Sequence, residues 1–387
     1  MQGGGVTGVI GQPWRADVTA SGSIEPWDGS RPLDWHVAAD DRWHTPAAEI
    51  AVRQHRVHGT PVFETRLRIP GGDALQRVWS IPDGGGMTCI EVTNESPLPI
   101  ACAFTRADLL TARPPTTVPI QGIDLPAATT TVLPIGHRAS VTVALGHSAP
   151  RPGRLPDRRA DAAAVARGWV AMAERASRLD LPDTALVERV VAARCDLLLG
   201  GLADPDRDGV AFVVGAGELV RMGELDEPAV ADLVPAVALV AESLAERPGW
   251  EVDAALDAAA AVLHLAGEQR AVADVARIVA DRPTNPGPDT VESGPLVVAS
   301  LERRLLRGTV LFPDGIPGAW RGASLEARNL RAGPATAVSF AVRWHGEHPA
   351  ILWEVEGDSV ELTAPAVDPA WRTTDPAGEA LWRGAGT

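Results

Sequence analysis

Asp180-Leu181-Pro182-Asp183-Thr184-Ala185-Leu186-Val187-Glu188-Arg189-Val190-Val191-Ala192-Ala193-Arg194-Cys195-Asp196-Leu197 is where the chain changes from one periodicity to another. Asp180 is suited to cap a helix, and Pro182 to its first turn, where a missing N–H has no partner to lose. Asp183 then falls near the positive end of the helix dipole. Leu186, Val190, Ala193 and Leu197 recur at spacings of three and four, which draws one apolar stripe along the helix. Upstream, Arg151-Pro152-Gly153-Arg154-Leu155-Pro156 reads as a linker, 151–157. Downstream, helical runs are expected over 226–247, 251–266, 268–281 and 294–307. Pro235 should kink or restart the first of these, and Asn285-Pro286-Gly287-Pro288 should interrupt the series before the last.

On either side of this helical stretch the period is two. Residues 48–57, 61–69, 75–81 and 87–93 are short β-type runs punctuated by Pro and Gly, for example Pro70-Gly71-Gly72-Asp73. That pattern predicts an antiparallel β-sandwich over 1–150. Asn94-Glu95-Ser96-Pro97 reads as a hairpin loop, which would set Cys89 opposite Cys102 as free thiols on neighbouring strands. Strand-like runs return at 324–330, 336–344, 350–355 and 359–363. The predicted order is therefore β + α + β: a sandwich over 1–150, a helical domain over 158–312 and a small β-domain over 313–387.

Composition narrows the chemistry. The 387-residue chain has a formal charge of −15, and all 35 of its Lys and Arg positions are arginine. An acidic surface argues against a nucleic-acid partner. The absence of lysine and tyrosine removes Schiff bases, P-loop lysines and tyrosine acids, and leaves carboxylates, histidine, Ser/Thr/Cys, arginine or a metal. The opening Met1-Gln2-Gly3-Gly4-Gly5 lacks the basic and apolar regions of a signal peptide, and no run approaches a membrane span, so a cytoplasmic location is expected. Three cysteines, an odd count, fit a reducing compartment.

Candidate site residues follow from spacing. Glu218 and Glu224 flank Arg221 in a Gly-rich segment and are the best local pair for carboxylate catalysis. They converge only if Gly223 ends the helix and turns the chain. The other reading of the same residues is a Glu218–Arg221 pair at i,i+3 on a solvated face. Asp204-Pro205-Asp206-Arg207-Asp208-Gly209 begins like a calcium loop, with Asp204, Asp206 and Asp208 as oxygen ligands, but position twelve is Gly215 and the closing ligand is missing. An Asp-rich interhelical turn would read the same way; no other cofactor is expected. Ten of the twelve tryptophans lie in the two β-regions, where they either stack on sugar faces or fill small interiors. Asp40-Asp41-Arg42 beside Trp43 would bind hydroxyls or cap a turn.

Trp169 followed by Leu181-Pro182-Asp183, then Gly217-Glu218-Leu219-Val220-Arg221-Met222-Gly223-Glu224, then the strands Arg343-Trp344-His345-Gly346 and Trp353-Glu354, stand in an order that resembles the six-hairpin glycosidases. That group includes glucoamylase-like, trehalase-like, debranching and glycoside-phosphorylase proteins. The resemblance implies carboxylate acid/base chemistry by Glu218 and Glu224 on an α-glucan or related oligosaccharide, with Arg221, Trp344 and His345 contacting the carbohydrate ligand. A full barrel of this kind needs twelve helices, on the order of 250 residues, whereas 158–312 holds six or seven. The implied fold is a helical half-barrel of about three antiparallel hairpins, its bowl absent, degenerate or completed by a second copy in a homo-oligomer. The alternative function is a non-catalytic carbohydrate-binding or assembly module.

Overall fold

The computed structural model describes residues 4–116, 120–148, 151–280, 282 and 294–383. The expected break at Asn285-Pro286-Gly287-Pro288 lies outside them. The chain divides into two compact units, residues 1–170 and 171–387. The described residues form seven α-helices and several mainly antiparallel sheets, none closed on itself. The helices are α1 (Ala162–Ala173), α2 (Thr184–Gly200), α3 (Gly209–Met222), α4 (Glu227–Leu244), α5 (Trp250–Leu265), α6 (Gln269–Ala280) and α7 (Leu296–Leu305). Among the described residues no helix is long and apolar enough to cross a membrane.

The first unit is built on a seven-stranded sheet that runs from Val52–Arg56 through Phe63–Ile69, Gly72–Ile81, Met87–Asn94 and Ser140–Gly146 to two short edge strands. Four further strands, among them Trp35–Ala38, Ile100–Phe104 and Thr131–Ile135, make a second sheet. Alternation decides what meets what. Phe63, Leu67, Val78, Ile90, Val92 and Val143 point from the large sheet into a core shared with Trp35, Val37, Cys102, Phe104, Leu133 and Ile135 of the small one. The opposite face of the large sheet buries Trp79, Ile81, Met87, Cys89 and Ala144 against Ala166 of α1.

This arrangement corrects the expected hairpin. Met87–Asn94 and Ile100–Phe104 belong to different sheets, so Cys89 lies opposite Trp79 and Ala144, and Cys102 opposite Leu133 and Val37. Both thiols are free and buried, but in separate clusters. Asn94 supplies the reason. Its Nδ2 donates to the carbonyls of Leu98 at 2.8 Å and Gly136 at 3.2 Å, and its Oδ1 accepts from the Ser96 N–H at 2.9 Å. A fully buried amide that ties these backbone groups together makes the chain arch from one sheet to the other.

In the second unit, α2 and α7 pack on a five-stranded sheet of Arg178–Asp180, Leu325–Gly333, Thr336–His345, His348–Glu356 and Ala377–Leu381. Val190 and Ala193 of α2, Leu301 and Leu305 of α7 and Phe340, Val342, Ile351 and Trp382 share one core. The boundary expected at 312/313 falls inside this unit. Asp180 ends the first of these strands, and the α2 cap is Asp183, whose Oδ1 accepts the Leu186 N–H at 3.3 Å. α3 to α6 form a second, helical core, in which Gly217 lets α3 approach α5: a Cβ there would stand 2.9 Å from that of Ala258. α4 runs through Pro235 without a break in its span. Tryptophan fills interiors here, with Trp353, Trp371 and Trp382 edge to face in series and Trp382 on Phe312.

A buried arginine and carboxylate cluster as the candidate site

The core of the second unit contains charge. α2 brings Arg194, α3 brings Glu218 and Arg221, and α7 brings Glu302 to one point. Arg194 is 1% exposed; its Nε donates to Glu218 Oε2 at 2.8 Å and its Nη2 to Glu302 Oε1 at 2.9 Å. Arg221 Nη1 donates to Glu218 Oε1 at 2.6 Å and to Glu302 Oε2 at 2.7 Å. Ser177 Oγ donates to Glu302 Oε1 at 2.5 Å. Burial alone would push the Glu218 carboxyl up, but the two guanidiniums, Arg221 first, hold it well below the usual carboxylate range. The same contacts raise Arg221 against its own desolvation.

The backbone of Leu325–Gly333 completes the cluster. Its pairing with Thr336–His345 slips between Ala327 and Leu330, and Asn329 in that bulge has φ 57°, a left-handed conformation that asparagine tolerates. The bulge turns the Asn329 carbonyl toward Arg221 Nη2, 3.1 Å away, and Asn329 Nδ2 donates to the Ala176 carbonyl at 2.8 Å. Two residues on, Arg331 reaches a cavity of about 130 Å3 that is also lined by Glu218, Arg221, Asp257, Glu302 and Arg303. Small residues, Gly217, Ala254, Ala258 and Ala299 among them, make up much of the remaining wall. It is a recess open to solvent rather than an enclosed void, so a ligand larger than this volume can project from it.

Two further groups set the cavity's electrostatics. Asp257 accepts from Arg303 Nη1 at 2.5 Å; it is half exposed along the wall yet set deep among protein atoms, and that burial pushes its carboxyl up against the pull of Arg303. The Arg331 side chain makes no hydrogen bond or ion pair among the described residues. Burial, and then Arg221, lower its guanidinium to about 10 despite Glu218, Glu302 and Asp257 nearby.

The residues singled out by spacing are divided by this geometry. Glu218 and Arg221 line the cavity, and their i,i+3 pair is buried where a solvated face was the alternative. Gly223 does end α3 in the left-handed conformation, with φ 72°, but Glu224 beyond it pairs with Arg175 at 3.1 Å and is not part of the lining. Trp344 and His345 stand at the tip of the hairpin where His345 faces His348; Trp344 is half-buried, His345 exposed, and neither lines the cavity. Asp204 Oδ1 accepts the Asp206 N–H at 2.9 Å, and Asp208 caps α3 by accepting the Ala211 N–H at 3.0 Å. No group of three or more His, Cys, Asp or Glu side chains is placed to hold a metal among the described residues.

Arg194, Asp257, Glu302, Arg303 and Arg331 were not singled out by spacing. A signal for three of them existed: Arg194 follows Val190 by four, and Glu302 follows Val298 by four, so each places a charge inside an apolar helical stripe. Asp257 likewise places a charge within the otherwise apolar segment 254–261. A scan against protein-family models and a search of curated proteins each find no match to this chain.

Proposed function

We propose that the chain is a carbohydrate-binding module without turnover, its ligand a single sugar ring held in the cavity between α3, α5, α7 and the bulged strand Leu325–Gly333. The observation that carries this reading is the commitment of Glu218 and Glu302. Both oxygens of each carboxylate already accept from Arg194, Arg221 or Ser177. A general acid must carry a proton at the working pH, and a general base must be free to take one. A carboxylate held anionic between two guanidiniums does neither. What remains useful is geometry: rigid, charged hydrogen-bonding groups on one side for hydroxyls, and a wall of Gly and Ala against which a ring face can lie.

A second reading, hydrolysis of an α-glucan or related oligosaccharide, draws support from Asp257. Its raised carboxyl beside ionised Glu218 resembles the split pair that glycoside hydrolysis uses. Calorimetric titration of the full chain with monosaccharides, followed by assay of nitrophenyl glycosides, separates the two. Binding with no nitrophenol release is the expected result. Release that Asp257→Asn abolishes would replace the binding reading with the hydrolytic one, and failure of every sugar to bind would remove both.

A further inference from the structure

Arg331 differs from every other arginine of the cluster. Arg194 pairs with Glu218 and Glu302, Arg221 with the same two carboxylates, and Arg303 with Asp257. Arg331 lines the same cavity with no carboxylate, carbonyl or hydroxyl on it among the described residues. A guanidinium partly withdrawn from water without an ion-pair partner is costly, and Arg221 adds like-charge repulsion that the more distant attraction of Glu218, Glu302 and Asp257 does not offset. Counting formal charges among the described residues, four arginines (Arg194, Arg221, Arg303 and Arg331) meet three carboxylates (Glu218, Asp257 and Glu302). Among those residues the cluster is short of one negative charge, and it is short of it at Arg331.

We infer that the ligand of this cavity is an acidic sugar whose carboxylate pairs with Arg331. The inference rests on the carbohydrate-binding reading above and names the class of sugar. A carboxylate suits the position for three reasons. It is planar and can accept two parallel N–H bonds from one guanidinium edge. Its single charge matches the deficit, whereas a phosphate near two charges would be repelled by Glu218, Asp257 and Glu302. A uronate also carries its charge on the same single ring that enters the cavity, with no second sugar required.

Calorimetric titration of the full chain with sodium D-glucuronate, sodium D-galacturonate, D-glucose, D-galactose and sodium acetate tests this. At least one uronate should bind about tenfold or more tightly than its neutral parent, the gain expected of a charge-assisted hydrogen-bonded pair. Arg331→Gln should remove that preference while leaving the weaker binding of the neutral sugar, and Arg331→Lys should retain part of it. The comparison of uronate with neutral sugar in the unaltered protein is decisive whether or not the variants fold. Equal affinity for glucose and glucuronate would overturn the inference and leave the carbohydrate reading standing. Binding of acetate through Arg331 without any sugar would support an anion site and overturn the carbohydrate reading. No binding of any of the five probes would overturn both.

Discussion

In residues 1–170 a buried polar chain is neutral: Thr7 Oγ1, Ser80 Oγ, Thr88 Oγ1 and His147 Nε2 follow one another at 2.9, 2.8 and 2.9 Å. In residues 171–387 the corresponding polar interior is ionic, with Arg194 and Arg221 each bridging Glu218 and Glu302. The difference matters because the two kinds of network fail differently. Hydroxyls cost little to desolvate and can reorient when a neighbour is lost. A buried charge deprived of its partner cannot reorient its way to neutrality, so loss of one member exposes the full desolvation cost of the others. The ionic network is therefore a rigid frame, and the cavity lies on it. The neutral chain links the strand Gly4–Gly8 to Gly72–Ile81 and Met87–Asn94 of the large sheet; its histidine stacks on Trp14 with ring centroids 3.8 Å apart.

The largest test of this contrast is removal of one charge. Glu218→Ala leaves Arg194 and Arg221 without half of their partners and should lower the unfolding free energy by about 3–5 kcal/mol, read from urea denaturation followed in the second unit. A loss under about 1 kcal/mol would place the ionic network on the same footing as the neutral one.

Acid separates the two regions next. His147 is lowered from 6.5 to about 4, first by burial and then by Arg15, so it is neutral in the folded protein at pH 7. The unfolded chain takes up its proton below 6.5 before the folded chain can. The stability that depends on neutral His147 is thus complete above pH 6.5 and lost as pH falls toward 4, at most about 3 kcal/mol. Glu218 is also depressed, from 4.5, so its contribution is complete above that value and disappears only in stronger acid. Amide hydrogen exchange at pH 7, 5.5 and 4.5 should show the first unit loosening while α3 of the second stays protected. Simultaneous loss in both units would remove the distinction, as would an unchanged acid profile in His147→Phe.

The smallest effect is expected from Thr88→Val. It deletes a hydroxyl bonded to Ser80 and His147, both of which can turn to other partners, and should cost about 1 kcal/mol by thermal or urea unfolding. A cost approaching that of Glu218→Ala would show that the neutral chain is as rigid as the ionic one.

How much of this was legible in the residues varies with distance along the chain. The helices expected at 226–247, 251–266, 268–281 and 294–307 stand at Glu227–Leu244, Trp250–Leu265, Gln269–Ala280 and Leu296–Leu305, because a 3.6-residue stripe is a local property. The fate of Asn94 was not legible. Whether Asn-Glu-Ser-Pro makes a hairpin or an arch depends on Leu98, Ile135 and Gly136 being present to accept from its amide, and two of those lie about forty residues away. Glu218 and Arg221 were found together because they are three residues apart. Glu302 was missed because its partners Arg194 and Arg221 are 108 and 81 residues distant.

By itself the sequence determined the kinds of element, their order and the chemistry on offer. Periodicity sets whether a segment coils or extends, and a chain whose cations are all arginine has only guanidiniums to set against buried carboxylates. The tertiary structure alone decided which arginine meets which carboxylate, which cysteines share a core and where a cavity remains. Those outcomes depend on packing α2, α3 and α7 against a bulged strand. In that packing, among the described residues, three arginines find acids and Arg331 does not, a fact carried by no stretch of the chain shorter than the residues 194–331 that contain the cluster.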